Sequence, residues 1–189
     1  VDILHIQDLE SGDEQQIGEI ARLLVDGFRE HWDDAYPTLE DALEEIRESF
    51  EDGRISRVAL DEDGIVLGWI GGQHSYAEVW ELHPLVVRVD QQRRGIGRAL
   101  VADLENLVRE KGAMTLTLGS DDQDNMTTLS GVNLYENLWD HIANIRNLKG
   151  HPYAFYQKLG YTITGVVPDA NGIGKPDILM AKQVSSAVQ

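Results

Sequence analysis

Leu85-Val86-Val87-Arg88-Val89-Asp90-Gln91-Gln92-Arg93-Arg94-Gly95-Ile96-Gly97-Arg98-Ala99-Leu100 decides the fold, because an apolar strand pattern runs into a basic, two-glycine turn that opens directly into a helical pattern. The first N–H groups of a helix lack intrahelical partners and carry about half a positive charge, so glycines there let an anion approach the main chain. Arg93, Arg94 and Arg98 add fixed charge at the same place. Charge-assisted hydrogen bonds to phosphate oxygens contribute roughly 1.5–3 kcal/mol each, so several converging on one pyrophosphate hold it firmly. The turn reads as a pyrophosphate cradle.

Two common cradles do not fit. A Walker A loop requires Lys followed by Ser or Thr, whereas Arg98-Ala99 follows Gly97. A dinucleotide fingerprint requires a third glycine where Leu100 stands, after a βαβ pattern that is missing here. The spacing Gln92-Arg93-Arg94-Gly95-Ile96-Gly97 instead resembles the Gln/Arg-x-x-Gly-x-Gly/Ala signature of the GNAT superfamily of acetyl-CoA-dependent N-acetyltransferases. Phe155-Tyr156-Gln157-Lys158-Leu159-Gly160-Tyr161 is similar to a second motif of that family, and the resemblance extends from about Ile3 to Lys182. It implies an α/β fold with a mixed sheet of about seven strands. It further implies a splay between the fourth and fifth strands, four core helices and an inserted helix before the last.

Composition narrows the function. A chain of 189 residues is long enough for one domain with a sizeable core, spanning 1–184 with a tail at 185–189. Neither a membrane-length apolar run nor a secretory leader is recognisable, so the expectation is a cytoplasmic protein. With no cysteine there is no disulfide frame, thiolate nucleophile or Cys-based zinc site, and no metal is expected. The net charge of −17 is concentrated early: residues 1–64 hold 20 acidic and 5 basic side chains. Such a field repels nucleic acid and anionic membrane and concentrates cationic small molecules.

An opening strand is expected over 1–9, followed by a helix from about Asp13 to Phe28 behind the capping-box spacing Ser11-Gly12-Asp13-Glu14. A second helix follows Thr38, with Leu39, Leu43, Ile46 and Phe50 as its apolar face. Strands are expected at 55–60 and 65–72 around the hairpin signal Asp63-Gly64, and at 79–87, where Pro84 demands an edge, a bulge or a splayed pair. After the helix at about 97–111 comes a fifth strand, 113–118. Within 126–150, Tyr135, Leu138, Ile142, Ile145 and Leu148 follow helical spacing beside Trp139, which predicts an inserted helix covering the acceptor cleft or forming a contact in a homodimer. A helix behind Pro152, ended by Gly160, and two closing strands complete the pattern.

The resemblance assigns roles residue by residue. Glu81 lies fourteen residues before Gly95, as the catalytic glutamate does in several histone-type members, and His83 shares its strand face as the alternative base. Tyr156 corresponds to the tyrosine that protonates the departing thiolate. Coenzyme A is expected on the main chain near Val86 and Val87, on Gln92 to Arg98, and at Asn125 and Tyr156. Phe28, Trp32, Asp33 and Tyr36 are candidates for a cationic-substrate wall, together with Glu81. Ser120-Asp121 with Asn125 is similar to the amine-binding motif of aminoglycoside 6'-N-acetyltransferases, and Asp122 is a further candidate there. Calcium is set aside for these acids, because the glycine and closing glutamate of an EF-hand loop are missing. The expected activity is acetyl transfer from acetyl-CoA to an amine of a cationic small molecule, best matched by the 6'-amine of an aminoglycoside antibiotic, which would make this a resistance enzyme. Polyamines, other small amines or protein amines are alternative acceptors, and a non-catalytic acetyl-CoA sensor is the alternative of another class.

Overall fold

The computed structural model describes residues 4–185, so the first three positions of the expected opening strand and residues 186–189 of the expected tail lie outside the described residues. By its internal contacts the chain forms two units, Val1–Leu116 with Val184–Gln189, and Thr117–Gln183.

In the first unit, β1 (His5–Asp8), β2 (Arg54–Leu60), β3 (Val66–Tyr76) and β4 (Val79–Val87) pair consecutively and antiparallel. The β2–β3 turn forms because Asp61 Oδ1 accepts the N–H groups of Asp63 and Ile65, at 3.0 and 2.9 Å, while Gly64 takes φ +78°. α1 (Glu14–Phe28) begins at Asp13, whose carboxylate caps Gln16 N at 3.0 Å, rather than at Ser11. α2 (Leu39–Glu48) begins in a reciprocal capping box between Thr38 and Asp41. Ile20 and Leu24 of α1, Ala42 and Ile46 of α2, and Val58, Trp69 and Val86 of the sheet form a closed core. Trp69 is fully buried, and its indole N–H donates to Ser56 Oγ at 2.9 Å. Leu39, expected on the apolar face of α2, stands exposed in its first turn.

Pro84 produces a bulge in β4. The pairing slips between Ile70 and Gly72, so that His83 and Pro84 together face Gly71. A side chain on Gly71 would place its Cβ 2.3 Å from the His83 carbonyl oxygen, so only glycine fits there. Beyond β4 a 3-10 turn (Val89–Gln91) leads into α3 (Ile96–Glu110), which buries Leu100, Val101, Leu104 and Val108. Arg57 of β2 anchors this helix through Asp103, Nε to Oδ2 at 2.7 Å, and also reaches Asp8 of β1 at 2.8 Å.

β5 (Thr115–Asp121) runs from the first unit into the second. The second unit contains α4 (Leu138–Ala143), α5 (Tyr153–Lys158) and the antiparallel pair β6 (Thr162–Val167) and β7 (Asp177–Gln183). The inserted helix is much shorter than its apolar spacing predicts. Thr127 bridges Asn147, and Thr128 N–H and Leu148 N–H donate to Arg146 O and Met126 O at 3.1 and 2.8 Å. Main-chain groups of residues 146–148 are thus committed to an extended pairing with 126–128, which ends the helix before Ile145. Met126, Leu129 and Leu134 fill the interior, while Tyr135, Trp139 and Leu148 are exposed.

Candidate active site

The two-glycine turn opens directly into α3, as its sequence implies. Arg93 and Gly95 both adopt left-handed backbone conformations, φ +64° and +92°, and a Cβ at Gly95 would meet nothing within 4 Å. The approach to the main chain is therefore open. Buried Ile96 pins the turn, and Ala99 N–H is the first to bond back, to Gly95 O at 3.0 Å. The N–H groups of Ile96, Gly97 and Arg98 precede it in the first turn, where a helix supplies no acceptor of its own. Arg94 is held by Gln91 Oε1, and Gln92 Nε2 reaches Val87 O at 3.4 Å. Arg93, Arg94 and Arg98 are exposed. Open amides, two glycines and three guanidinium groups suit a pyrophosphate.

On β4, Val86 and Val87 pair with Trp69 and Gly68. The Val86 side chain is buried in the core, so this residue can offer a ligand only its main chain. Arg88 N–H donates to Leu67 O, and the Val87 N–H one residue earlier accordingly points to the opposite edge of the strand.

The acidic wall of the first unit has a member that sequence reasoning missed. Glu45 on α2, with its side chain only 17% exposed, accepts the Tyr36 hydroxyl at 3.3 Å and lies 3.6 Å from His83 Nε2. Burial works to raise the Glu45 carboxyl, but the bond and charge of His83, the Tyr36 hydroxyl and Arg54 together hold it below its ordinary value. In return Glu45, with the charge of Glu81 adding to it, holds the His83 imidazole above its ordinary value despite partial desolvation. Glu81 itself accepts Gln73 Nε2 at 2.9 Å, which fixes one carboxylate oxygen. Phe28 packs edge-on against Tyr36, with centroids 5.0 Å apart, and tilted against Trp32 at 5.8 Å. Tyr36 is buried in the core with its hydroxyl on Glu45, whereas Trp32 is half-buried and Asp33 exposed. Glu45 was legible in principle: it stands three residues after Ala42 and four before Ser49, and both of those are buried.

In the second unit, the Tyr156 ring is buried between Phe155 and Tyr161, with centroids 5.0 and 5.7 Å away, and burial raises its hydroxyl, so it keeps its proton. Asp121, at the end of β5, receives Asn171 Nδ2 on its carboxylate. Asp122 is corrected as a substrate ligand. It is 0% exposed, and its two oxygens accept Met126 N–H and Thr127 N–H at 2.7 and 2.8 Å, which folds the loop after β5. Asn125 is exposed at φ +51° within that loop. Asp169 caps Gly174 N–H at 2.7 Å, and the Asp177 carboxylate lies over Gly119, whose Cβ would come within 2.7 Å of it.

Comparison with known proteins identifies the family. The profile of the acetyltransferase (GNAT) family matches residues 17–138. An aminoglycoside 6'-N-acetyltransferase crystallised with coenzyme A is 39% identical, superposes with a TM-score of 0.88, and covers 98% of this chain and 99% of its own. The aminoglycoside 6'-N-acetyltransferase from Enterococcus faecium is also 39% identical, with a TM-score of 0.85 over 98% and 99% of the two chains. An aminoglycoside 6'-acetyltransferase of type Ii is 33% identical, with a TM-score of 0.71 over 97% and 99%. A search of curated proteins found no match. The cradle and these likenesses define an acyltransferase that draws on acetyl-CoA. The chain belongs to the GNAT acetyltransferase family and is an acetyl-CoA-dependent N-acetyltransferase, which sets aside the sensor alternative. Among the described residues no helix is long and apolar enough to cross a membrane.

Proposed function

We propose that this enzyme acetylates the 6'-amine of an aminoglycoside, and that its action on such drugs confers resistance. The observation that carries the reading is 39% identity, over nearly the whole of both chains, to two aminoglycoside 6'-N-acetyltransferases. It is supported by candidate carboxylates in each unit, Glu45 and Glu81 in the first and Asp121 in the second, in a chain of net charge −17.

Bound acetyl-CoA supplies an acyl thioester. Gly95, Gly97, Arg93, Arg94 and Arg98 hold its phosphates, and the Val87 N–H on the outward edge of β4 is the donor for the developing oxyanion. Glu81, directly or through a water, takes the proton from the attacking amine. His83, whose imidazole the Glu45 carboxylate 3.6 Å away holds above its ordinary value, is the alternative base. Tyr156, kept protonated by burial, is the proton donor to the leaving thiolate.

Thiol release with acetyl-CoA tests the substrate against aminoglycosides, polyamines and basic peptides. The reading expects turnover with aminoglycosides bearing a 6'-amine and little with analogues carrying a hydroxyl there. Equal or better turnover with polyamines or peptides would overturn it.

A further inference from the structure

His151 stands at the junction of the two elements of the second unit that carry functional side chains. Its ring is 1% exposed. One nitrogen, Nε2, lies 3.0 Å from the main-chain oxygen of Asp121, at the end of β5. The other, Nδ1, accepts the N–H of Tyr153 at 3.2 Å, in the first turn of the helix that carries Tyr156. These two bonds fix the tautomer. Nδ1 must offer a lone pair to receive an N–H, so the proton resides on Nε2 and is donated to the Asp121 carbonyl. Main-chain groups of His151 are also clamped: Asn147 Nδ2 donates to His151 O, and His151 N–H donates to Asn147 Oδ1, both at 2.8 Å. The far side of Asp121 is held by Asn171.

We propose that His151 is a positioning residue that fixes the carboxylate of Asp121 and the hydroxyl of Tyr156 with respect to each other, one through each ring nitrogen. The inference rests on the reading above, in which Asp121 binds the cationic acceptor and Tyr156 donates a proton. A buried histidine that merely filled space would not need opposite roles at its two nitrogens, nor an asparagine locking its backbone. Displacements on the order of 1 Å at a reacting group can cost about 100-fold in rate, so a clamp of this kind has kinetic consequences.

The test separates the two nitrogens. His151→Asn places a side-chain oxygen near Nδ1, retaining the acceptor for Tyr153 N–H and losing the reach to Asp121. His151→Gln extends an amide N–H toward the Asp121 carbonyl and loses the acceptor for the helix. With an aminoglycoside acceptor, the asparagine variant is expected to raise KM for the amine about tenfold with kcat nearly unchanged. The glutamine variant is expected to lower kcat about tenfold with KM nearly unchanged. Equal changes in both constants, or a lowered melting temperature with neither constant changed, would reduce His151 to packing.

Imidazole nitrogen NMR on the wild-type enzyme decides the matter even where the variants do not fold. A ring that carries its proton on Nε2 rather than Nδ1 in the folded enzyme is expected, and an Nδ1-protonated ring would overturn the proposal. Asp121→Asn and Tyr156→Phe serve as controls. If they leave KM and kcat unaltered, the underlying reading fails and this inference with it. If they act as expected while both His151 variants behave like wild type, this inference alone fails.

Discussion

The acidic wall of the first unit and the loop that follows β5 both concentrate carboxylates, and they use them in opposite ways. Glu45 and Glu81 are partnered by side chains, His83, Tyr36 and Gln73, and stay at least partly open. Asp122 is closed off, with both oxygens on main-chain N–H groups, and Asp169 caps a turn. A carboxylate that satisfies backbone donors is part of the fold, whereas one met by mobile side chains keeps a charge that chemistry can use. Asp121 shows how narrow the division is: its neighbour Asp122 is spent on the loop, while its own carboxylate receives the side-chain amide of Asn171.

The strongest way to break this contrast is to remove one carboxylate from each region. Glu81→Gln should lower kcat by on the order of 10²–10⁴ with the melting temperature unchanged. Asp122→Ala should do the reverse: it strands two buried N–H donors, costs about 3 kcal/mol or more, and lowers the melting temperature by roughly 6–12 °C. Its kcat, measured on folded protein below that temperature, should remain close to that of the wild type. Calorimetry beside steady-state kinetics checks both, and a swap of the two phenotypes would refute the division. A smaller effect is expected at the cradle. Arg93→Ala combined with Arg94→Ala should weaken coenzyme A binding about tenfold by titration calorimetry, with kcat at saturation scarcely altered.

The smallest effect concerns pH. The His83 value is raised, so its contribution to stability is full below the ordinary histidine value of 6.5 and is lost as pH rises through the raised value. The Glu45 value is lowered, so its contribution is present above the ordinary 4.5 and is lost as pH falls through the lowered value. Their pairing should therefore stabilise most between about pH 4.5 and 6.5 and fade above. Glu45→Gln should flatten this window in urea unfolding curves and bring the His83 titration, followed by NMR, down toward its ordinary value.

What the sequence disclosed follows from how local each feature is. The cradle needs only the order of residues from Val87 to Arg98, and its glycines, arginines and helix start are contiguous. The bulge was legible because Pro84 cannot donate to a ladder. The inserted segment was misread because what ends its helix is a pairing of Thr127 with Asn147, a contact between distant positions that apolar spacing does not encode. Asp121 and Asp122 could not be told apart for the same reason: the decision lies with Met126 and Thr127, whose N–H groups turn back onto one carboxylate and not the other. Glu45 lay hidden in a helix rich in acids, where its proximity to His83 depends on the packing of α2 against the sheet.

The bulge at His83-Pro84 depends on an atom that is missing from the neighbouring strand. Because any side chain on Gly71 would collide with the main-chain carbonyl of His83, no change of side chain on β4 can make room for one. A library built to redirect the acceptor preference can therefore vary the exposed His83 side chain, and should find Gly71 nearly intolerant of replacement.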